Sequence, residues 1–353
     1  MQVPRRRYHH PGTAPGTYDV ERTRRASQPA VRVIDYDSSG IAHHEGLAAV
    51  SAPRELHNRW IHVAGAPSLE VLALLEERFD IDPLILEDVV NTGQRPKLND
   101  FDPYLFLTLS LPLGGETTRF EQLSLYLGDG LLISFLDNPS DLLKPIEERL
   151  KRESARVRRE DSHYLLYAIL DLTVDLFFPV VDASAQQLES LEDEILNAPT
   201  ERALMATHHS RNRLLMVRKV AWATREVVSE LLRHWDSEEA QSIRPFLQDT
   251  YDHTVAVIDL VETQRDIATN LVEVYLSVIS NRMNEVIKLL TLIATLFIPG
   301  TFIASLYGMN FDRGAGPLSM PELDWPFGYL GVLVVIGLSM LGMLLYFRHK
   351  RWL

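Results

Sequence analysis

The chain has no cysteine among its 353 residues. A disulfide framework and a thiolate metal site are therefore excluded, because both need cysteine sulfur. The sequence also has no GxxxxGK[ST] phosphate-binding loop, no nucleophile elbow and no HExxH pair. We therefore predict that the protein is not an enzyme and binds no nucleotide. Any transport it performs is expected to run downhill or to be coupled to another gradient.

Positive charge is scarce outside the N-terminus. The formal net charge is −13, which argues against nucleic-acid binding as a main role, since that role needs a basic surface. Residues 1–28 are the exception, with six arginines against two acids, several Pro and Gly residues and no apolar periodicity. This composition predicts a disordered basic arm. No apolar segment follows its arginines, so we do not interpret the arm as a secretory signal.

Two stretches near the C-terminus have no charged side chain, residues 289–310 and residues 327–347. Each is long enough to cross a bilayer as a helix, which takes about 20 apolar residues. The basic cluster Arg348, His349, Lys350 and Arg351 follows the second stretch directly. By the positive-inside rule, this predicts a cytoplasmic C-terminus, and two spans place the N-terminus on the same side.

The first soluble part has the pattern of a mixed sheet with helices. Short apolar runs near residues 31–35 and 60–63 and alternating runs at 104–113 and 122–127 predict strands. Asp129 and Gly130 predict a hairpin turn, and Ser68 is expected to cap a helix that ends near Asp80.

A helical hairpin rich in acids is predicted next, with a break at Asn197-Ala198-Pro199 and a new helix starting at Thr200. A longer helix then runs from about residue 242 without a stop signal before Gly308, roughly 100 Å at 1.5 Å per residue. We expect Pro299 to mark a bend. Apolar residues that step by three and four along its first half predict a packing seam, and Gln264 fills the missing position between Leu260 and Ile267. The apolar members are Val257, Leu260, Ile267, Leu271, Val274 and Val278.

A second stripe with the same spacing consists mainly of small or polar residues and continues into the uncharged stretch. Small residues allow close helix packing, which is one interpretation. The other is a pore wall built from one helix per subunit, in which Ile287, Leu290 and Ile298 form apolar constrictions. The candidate pore-lining residues are Glu273, Ser280, Asn284, Ile287, Leu290, Thr291, Ala294, Ile298, Thr301 and Ser305.

The stripe ends at YGMNF, between a long helix and a short loop that precedes the final apolar stretch. This arrangement resembles the CorA family of divalent-cation channels, and so do LEDVVNTGQRPK and TYDHTVAVIDLVETQRD further upstream. The resemblance implies an α+β cytoplasmic domain, a long helical stalk and two transmembrane helices, assembled as a funnel-shaped homopentamer in the inner membrane. Mg²⁺ is the implied permeant and regulatory ion, with Co²⁺, Ni²⁺ or Zn²⁺ as further substrates.

In the family, Gly308-Met309-Asn310 is the selectivity filter. Glycine and asparagine also tolerate the left-handed conformation, so we expect a left-handed cap at this helix end. Carbonyls at a helix C-terminus have no internal partner and carry the negative end of the dipole. A ring of Gly308 carbonyls and Asn310 amides is therefore expected to accept hydrogen bonds from hydrated Mg²⁺, which loses its waters reluctantly.

Regulation in the family depends on carboxylates shared between subunits. The matching residues are Glu87, Asp88 and Asp249, with Asp171 and Asp175 as weaker candidates. In the loop between the spans, Glu322 and Asp324 are expected to attract cations to the outer mouth.

Two alternatives stay open. One is a zinc transporter of the related ZntB type, and the other is a sensor or scaffold that uses the apolar hairpin only as an anchor. The domains predicted on the favoured interpretation are the basic arm at 1–28, the α/β domain at 29–155, the acidic hairpin at 156–241, the stalk and first span at 242–310 (span about 288–309), the periplasmic loop at 311–326, the second span at 327–347 and the basic tail at 348–353.

Overall fold

The computed structural model describes residues 16, 29–115, 118–235, 242–310, 316, 320 and 325–352. The chain divides into two compact units. The first unit consists of Met1–Glu194 with Thr200–Leu271, and the second of Ile195–Pro199 with Val272–Leu353. The basic arm predicted for residues 1–28 lies outside the described residues except for Gly16, and so does most of the predicted loop at 311–326.

The first unit contains a seven-stranded mixed sheet. Its strands are β1 (Ala30–Tyr36), β2 (Ile41–Glu45), β3 (Asn58–Ala64), β4 (Lys97–Asp100), β5 (Leu105–Leu113), β6 (Arg119–Gly128) and β7 (Leu131–Leu136). They are ordered β2-β1-β3-β7-β6-β5-β4. β3 and β7 run parallel, and the other neighbouring strands run antiparallel.

Helices cover both faces of this sheet. Three short helices lie on one face: α1 (Leu47–Ser51), α2 (Leu69–Phe79) and α3 (Pro83–Val90). The opposite face is packed by α4 (Lys144–Leu150), α5 (Arg156–Arg159) and α6 (Ser162–Asp175). Side chains alternate along each strand, so Val33 and Ile61 enter one core whereas Ile34 and Trp60 enter the other.

The hairpin turn predicted between β6 and β7 is present. β6 ends at Gly128 and β7 begins at Leu131, with a left-handed Gly130 (φ 59°) between them. A Cβ on Gly130 would lie 3.0 Å from the carbonyl oxygen of His57. Both the backbone conformation and the neighbouring chain therefore favour glycine at this position.

The remaining helices are long. α7 (Phe177–Asn197) and α8 (Glu201–His234) form the predicted hairpin, and the Thr200 hydroxyl caps α8 by accepting from the Ala203 N–H at 3.0 Å. α9 (Arg244–Tyr307) has 64 residues and continues through Pro299, and α10 (Gly328–His349) follows. The predicted mixed sheet with helices, the long helix and the apolar C-terminal helix are thus confirmed.

Three helical stretches in the described part of the chain are long and apolar enough to cross a membrane, one more than the sequence led us to expect. The additional stretch is Ser162–Asn197, and 61% of its most apolar 18-residue window is buried within the chain, because α6 packs against the sheet. The apolar residues of this stretch are therefore explained by packing in the protein core. The apolar windows of α9 and α10 are only 6% buried, so their hydrophobic surface is not accounted for by packing within the chain.

The packing seam predicted along the first half of α9 was partly wrong. Val257 and Leu271 are buried, but Leu260 and Ile267 are 43% and 40% exposed. Gln264 lies in the seam as predicted, and its amide donates to the Val181 carbonyl at 3.0 Å, but Val261 and Ala268 take the places predicted for Leu260 and Ile267. The small Ala268 side chain allows close contact, whereas the prediction favoured the larger apolar residues one position away.

Candidate ion pathway and metal cluster

The predicted pore stripe lies on an exposed surface of α9. All ten of its candidate residues are exposed in the described chain: Glu273, Ser280, Asn284, Ile287, Leu290, Thr291, Ala294, Ile298, Thr301 and Ser305. The large apolar members are among the most exposed, with Leu290 and Ile298 at 60% and 61%. The described chain therefore leaves the stripe exposed, although Lys350, Arg351 and Trp352 line an open cavity beside Asn284, Ile287 and Thr291.

A different face of α9 packs against α10. Gly300 is buried there, and a Cβ added to it would lie 3.3 Å from Ile336 Cγ2 and 3.4 Å from Met340 Cε. Ile298 is two residues away, about 200° around the helix. The chain therefore uses one side of α9 to hold α10 and leaves the stripe on another side.

The threonine hydroxyls of the stripe have a defined orientation. Thr291 donates to the Ile287 carbonyl at 2.8 Å, and Thr301 donates to the Phe297 carbonyl at 3.0 Å. Each hydroxyl hydrogen is thus used within the helix, a common arrangement for threonine on apolar helices. What each side chain presents outward is an oxygen that accepts hydrogen bonds.

The helix end at the Gly-Met-Asn motif differs from the expected left-handed cap. Neither Gly308 nor Asn310 has a positive φ. The Gly308 N–H instead donates to the carbonyls of Ala304 (3.0 Å) and Ser305 (3.2 Å), and the Met309 N–H donates to Leu306 (3.3 Å). The last turn therefore tightens with i to i−3 bonds, which satisfy terminal carbonyls without a left-handed residue. Gly308, Met309 and Asn310 are all exposed.

Glu87 and Asp88 lie in the last turn of α3, beside a cavity of about 300 Å³ that Asn99 and Phe101 also line. Glu87 accepts from the backbone N–H of Gly16 at 2.5 Å. The Asp88 carboxylate accepts hydrogen bonds from the side chains of Gln94 and Lys97. The other candidate carboxylates lie on other helices.

Asp171 and Asp175 on α6 form a cluster with His253 on α9. One ligand atom from each side chain lies within 4.8 Å of the other two, a spacing that suits a single metal ion. This is the one such three-residue group in the described part of the chain. Thr250 donates to the Asp171 carboxylate at 3.2 Å, and Asp249 is exposed with its carboxylate 3.9 Å from the His253 ring.

Electrostatics at this cluster favour a bound cation. Burial, followed by the negative charge of Asp175, raises the pKa of Asp171 above its ordinary value. The hydroxyl of Thr250 acts in the opposite direction by donating to the carboxylate. A divalent cation would relieve the repulsion between the two aspartates, so the donor set of two carboxylates and an imidazole fits such an ion.

His253 was not singled out from the sequence. Its position four residues after Asp249 on a helix was visible, but its approach to α6 depends on tertiary packing. Asp88 and Glu87 do not join the cluster in the described chain. The outer-mouth candidates Glu322 and Asp324 lie outside the described residues.

Comparison with known proteins identifies the relatives of this fold. The model of the CorA-like Mg²⁺ transporter protein family matches residues 55–350. The chain is 38% identical over 297 residues to the cobalt/magnesium transport protein CorA of Thermotoga maritima, covering 83% of each chain. The structure of the CorA magnesium transporter from Methanocaldococcus jannaschii superposes with a TM-score of 0.77 at 21% identity, covering 92% of this chain and 98% of that one. The resemblance deduced from YGMNF is thus confirmed, and the chain belongs to the CorA-like Mg²⁺ transporter family.

Proposed function

We propose that the chain is one subunit of a homopentameric channel that admits Mg²⁺ down its electrochemical gradient, with Co²⁺ and Ni²⁺ as further substrates. The observation that carries this proposal is the exposed stripe of α9, which has no charge between residues 289 and 305 and leads to Gly308-Met309-Asn310. One helix cannot enclose a pore, so several copies must contribute. The number five comes from the family resemblance.

The chemistry of the stripe suits a hydrated cation. Mg²⁺ keeps several of its waters, and the hydrogens of those waters point away from the ion. A wall of outward-facing acceptor oxygens, such as those of Thr291 and Thr301, accepts these hydrogens. An anion would need donors, and the two hydroxyl hydrogens are already used within the helix.

The filter is proposed at Gly308, Met309 and Asn310, where α9 ends. The carbonyls of a helix C-terminus carry partial negative charge, and the Asn310 amide oxygen adds a neutral acceptor. Such a ring binds the hydrated ion through its waters. Binding without a formal charge stays weak enough for the ion to leave, which conduction requires.

The gate is proposed at the apolar side chains of Ile287, Leu290 and Ile298. Rings of such side chains close a pore when water leaves it. All three are more than half exposed in the single chain, as residues that meet only their copies around an axis must be.

The orientation follows from charge. Arg348 in the last turn of α10, with Lys350 and Arg351 directly after it, favours a cytoplasmic C-terminus in a plasma or inner membrane, with the N-terminus on the same side. A divalent cation that moves inward then gains about 4.6 kcal/mol per 100 mV. Glu322 and Asp324 are proposed to raise the cation concentration at the outer mouth.

Regulation is proposed at the carboxylates of the first unit. Cytoplasmic Mg²⁺ would bind Glu87, Asp88 and Asp249 across neighbouring subunits, and Asp171 with Asp175 would form a second position that His253 completes. Bridging metal neutralises carboxylates that otherwise repel one another. Loss of the metal would then loosen the ring of subunits and open the gate.

The filter is tested by Mg²⁺ uptake into liposomes that contain the purified full-length protein. Asn310→Ala is expected to lower uptake at least about tenfold, because an ordered polar contact in a pore is worth about 1.4 kcal/mol or more. Asn281→Ala is the matched control, since Asn281 is an exposed asparagine of α9 outside the stripe. Its uptake should equal that of the wild type.

Other outcomes favour the alternatives. Uptake retained by Asn310→Ala would remove the filter proposal. Faster transport of Zn²⁺ than of Mg²⁺ in the wild type would favour the ZntB-like zinc transporter. If the wild-type protein moves no divalent cation, the anchored sensor or scaffold becomes the better interpretation.

A further inference from the structure

Each oxygen of the Asp88 carboxylate accepts a hydrogen bond from a side chain of its own chain. The Gln94 amide donates to Oδ1 at 2.5 Å, and the Lys97 ammonium donates to Oδ2 at 2.5 Å. Both oxygens that a metal ion would use are therefore already bound by donors.

These partners are held in place by the fold. Lys97 is the first residue of β4, where it pairs with Thr108 of β5. The Gln94 backbone N–H donates to the Gln122 side chain at 3.1 Å, and Gln122 in turn donates to the backbone carbonyl of Asp88 at 3.0 Å. The lysine is thus presented to Asp88 by a strand and not by a free loop.

The ion pair remains accessible to an incoming ion. The Lys97 and Asp88 side chains are 27% and 24% exposed, and Asp88 lines the cavity of about 300 Å³ described above. This space is large enough for a small ion with water around it. A cation that enters the cavity meets a carboxylate already paired with an ammonium, so it competes with Lys97 for the negative charge of Asp88.

We propose that Lys97 is a tethered competitor of the divalent cation at Asp88 and thereby sets the cation concentration that the regulatory site senses. This inference rests on the proposed regulatory function of Asp88. Without its competing charge, the carboxylate binds metal more tightly. With the charge, the site stays empty until the cation reaches a higher concentration, as a sensor of an abundant ion requires.

The test is Mn²⁺ binding to metal-free, full-length protein in detergent, followed by electron paramagnetic resonance of the free ion. Lys97→Met removes the charge but keeps an unbranched side chain, and it is expected to bind Mn²⁺ at Asp88 about fivefold more tightly. Lys97→Arg keeps the charge and should bind like the wild type. Lys144→Met, at an exposed lysine at the start of α4, should also leave binding unchanged.

Asp88→Ala separates the two proposals. If this variant loses a Mn²⁺ site and Lys97→Met does not tighten binding, Lys97 is not a competitor but the regulatory site stands. If Asp88→Ala binds as much Mn²⁺ as the wild type, the regulatory site itself is wrong and the inference falls with it. When both proposals hold, adding Lys97→Met to Asp88→Ala has no further effect on binding.

A merely structural lysine predicts a different pattern. Removing it would lower the melting midpoint of the metal-free protein and weaken or preserve Mn²⁺ affinity, since the neighbouring carboxylate would lose its alignment. Either result for affinity would overturn the proposal. Tighter binding, whatever the melting midpoint, supports it.

Discussion

The two halves of α9 have the same secondary structure and opposite surroundings. In the lower half, up to Leu271, the helix buries Val257, Ile258 and Val261. In the upper half, residues 272–307, Gly300 alone is buried. One helix thus changes from a buried core element to a segment whose surface is almost entirely exposed.

Polar contacts differ in the same way. The lower half is tied to the hairpin by Gln264, which donates to Val181, and by the Glu262–Arg218 ion pair at 2.8 Å. In the upper half, the hydroxyls of Thr291 and Thr301 bind the carbonyls of their own helix, and Arg282 contacts the hairpin only near its turn, at the Asn197 carbonyl. Helical periodicity therefore says which residues share a face, whereas the partner of that face depends on the surroundings of the helix.

The difference between the two halves is tested most directly by making the same substitution in each of them. Ile258 is 5% exposed and Ile298 is 61% exposed, and both are isoleucines of α9. Ile258→Ala is expected to cost about 3 kcal/mol, because it removes buried methyl groups and leaves a cavity. The melting midpoint in detergent should fall by roughly 5–10 °C. Ile298→Ala should shift it by less than about 2 °C.

For Mg²⁺ conduction, we expect Ile298→Ala to have the larger effect and Ile258→Ala the smaller. Ile298→Ala widens a proposed constriction, so basal Mg²⁺ leak into liposomes should rise, while folded Ile258→Ala should conduct like the wild type. Equal losses of thermal stability would contradict the distinction between the two halves.

How far the sequence predicts this molecule depends on how local the determinants are. The cap at Ser68 and the turn at Gly130 were predicted because adjacent residues decide them. The seam of α9 was misplaced at Leu260 and Ile267, since choosing between neighbouring faces requires the position of α7. The apolar window of α6 could not be recognised as core by composition, because a membrane helix has the same residues.

The same distinction between local determinants and tertiary packing applies to the residues of the candidate site. The stripe and its end at Gly308-Met309-Asn310 were visible because they follow helical spacing along one element. In the cluster of Asp171, Asp175 and His253, the histidine is 82 and 78 residues away from the two aspartates along the chain, so spacing could not reveal it. The conformation at Gly308 could not be predicted from the sequence either. The residues there are compatible with a left-handed cap, but the last turn of the helix tightens instead.

A smaller effect is expected from acid, which should act on the buried interior of the first unit. His62 is fully buried, with its Nδ1 2.8 Å from the Ser134 hydroxyl. Burial, followed by the charge of Arg32, lowers the pKa of His62 to about 3. In the unfolded chain, a histidine takes up a proton near pH 6.5. The stability that the protein gains by burying His62 in its neutral form is therefore complete above about pH 6.5. It is lost as the pH falls from 6.5 toward 3.

The free energy of unfolding should fall by about 1.4 kcal/mol per pH unit below pH 6.5, or by about 2 kcal/mol at pH 5. Thermal unfolding of the detergent-solubilised protein between pH 7.5 and 5 measures it. His62→Gln should flatten the dependence, whereas His209→Gln, at an exposed histidine of α8, should retain it. Identical pH profiles for the wild type and His62→Gln would show that another group governs the acid response.

The smallest effect is predicted for the contact between the exposed upper half of α9 and the end of α7, both within the second unit. Arg282 donates to the Asn197 carbonyl at 2.6 Å, near the C-terminus of α7 where carbonyls lack partners in the helix. Because the arginine is exposed, water replaces it easily, and Arg282→Ala should cost less than about 1 kcal/mol. Hydrogen exchange of the amides in the last turn of α7 should accelerate by about twofold to fivefold, with Arg282→Lys in between and the strands of the sheet unchanged. Faster exchange in the strands of the sheet would contradict this prediction, since loss of a contact confined to the hairpin turn frays only the helix end.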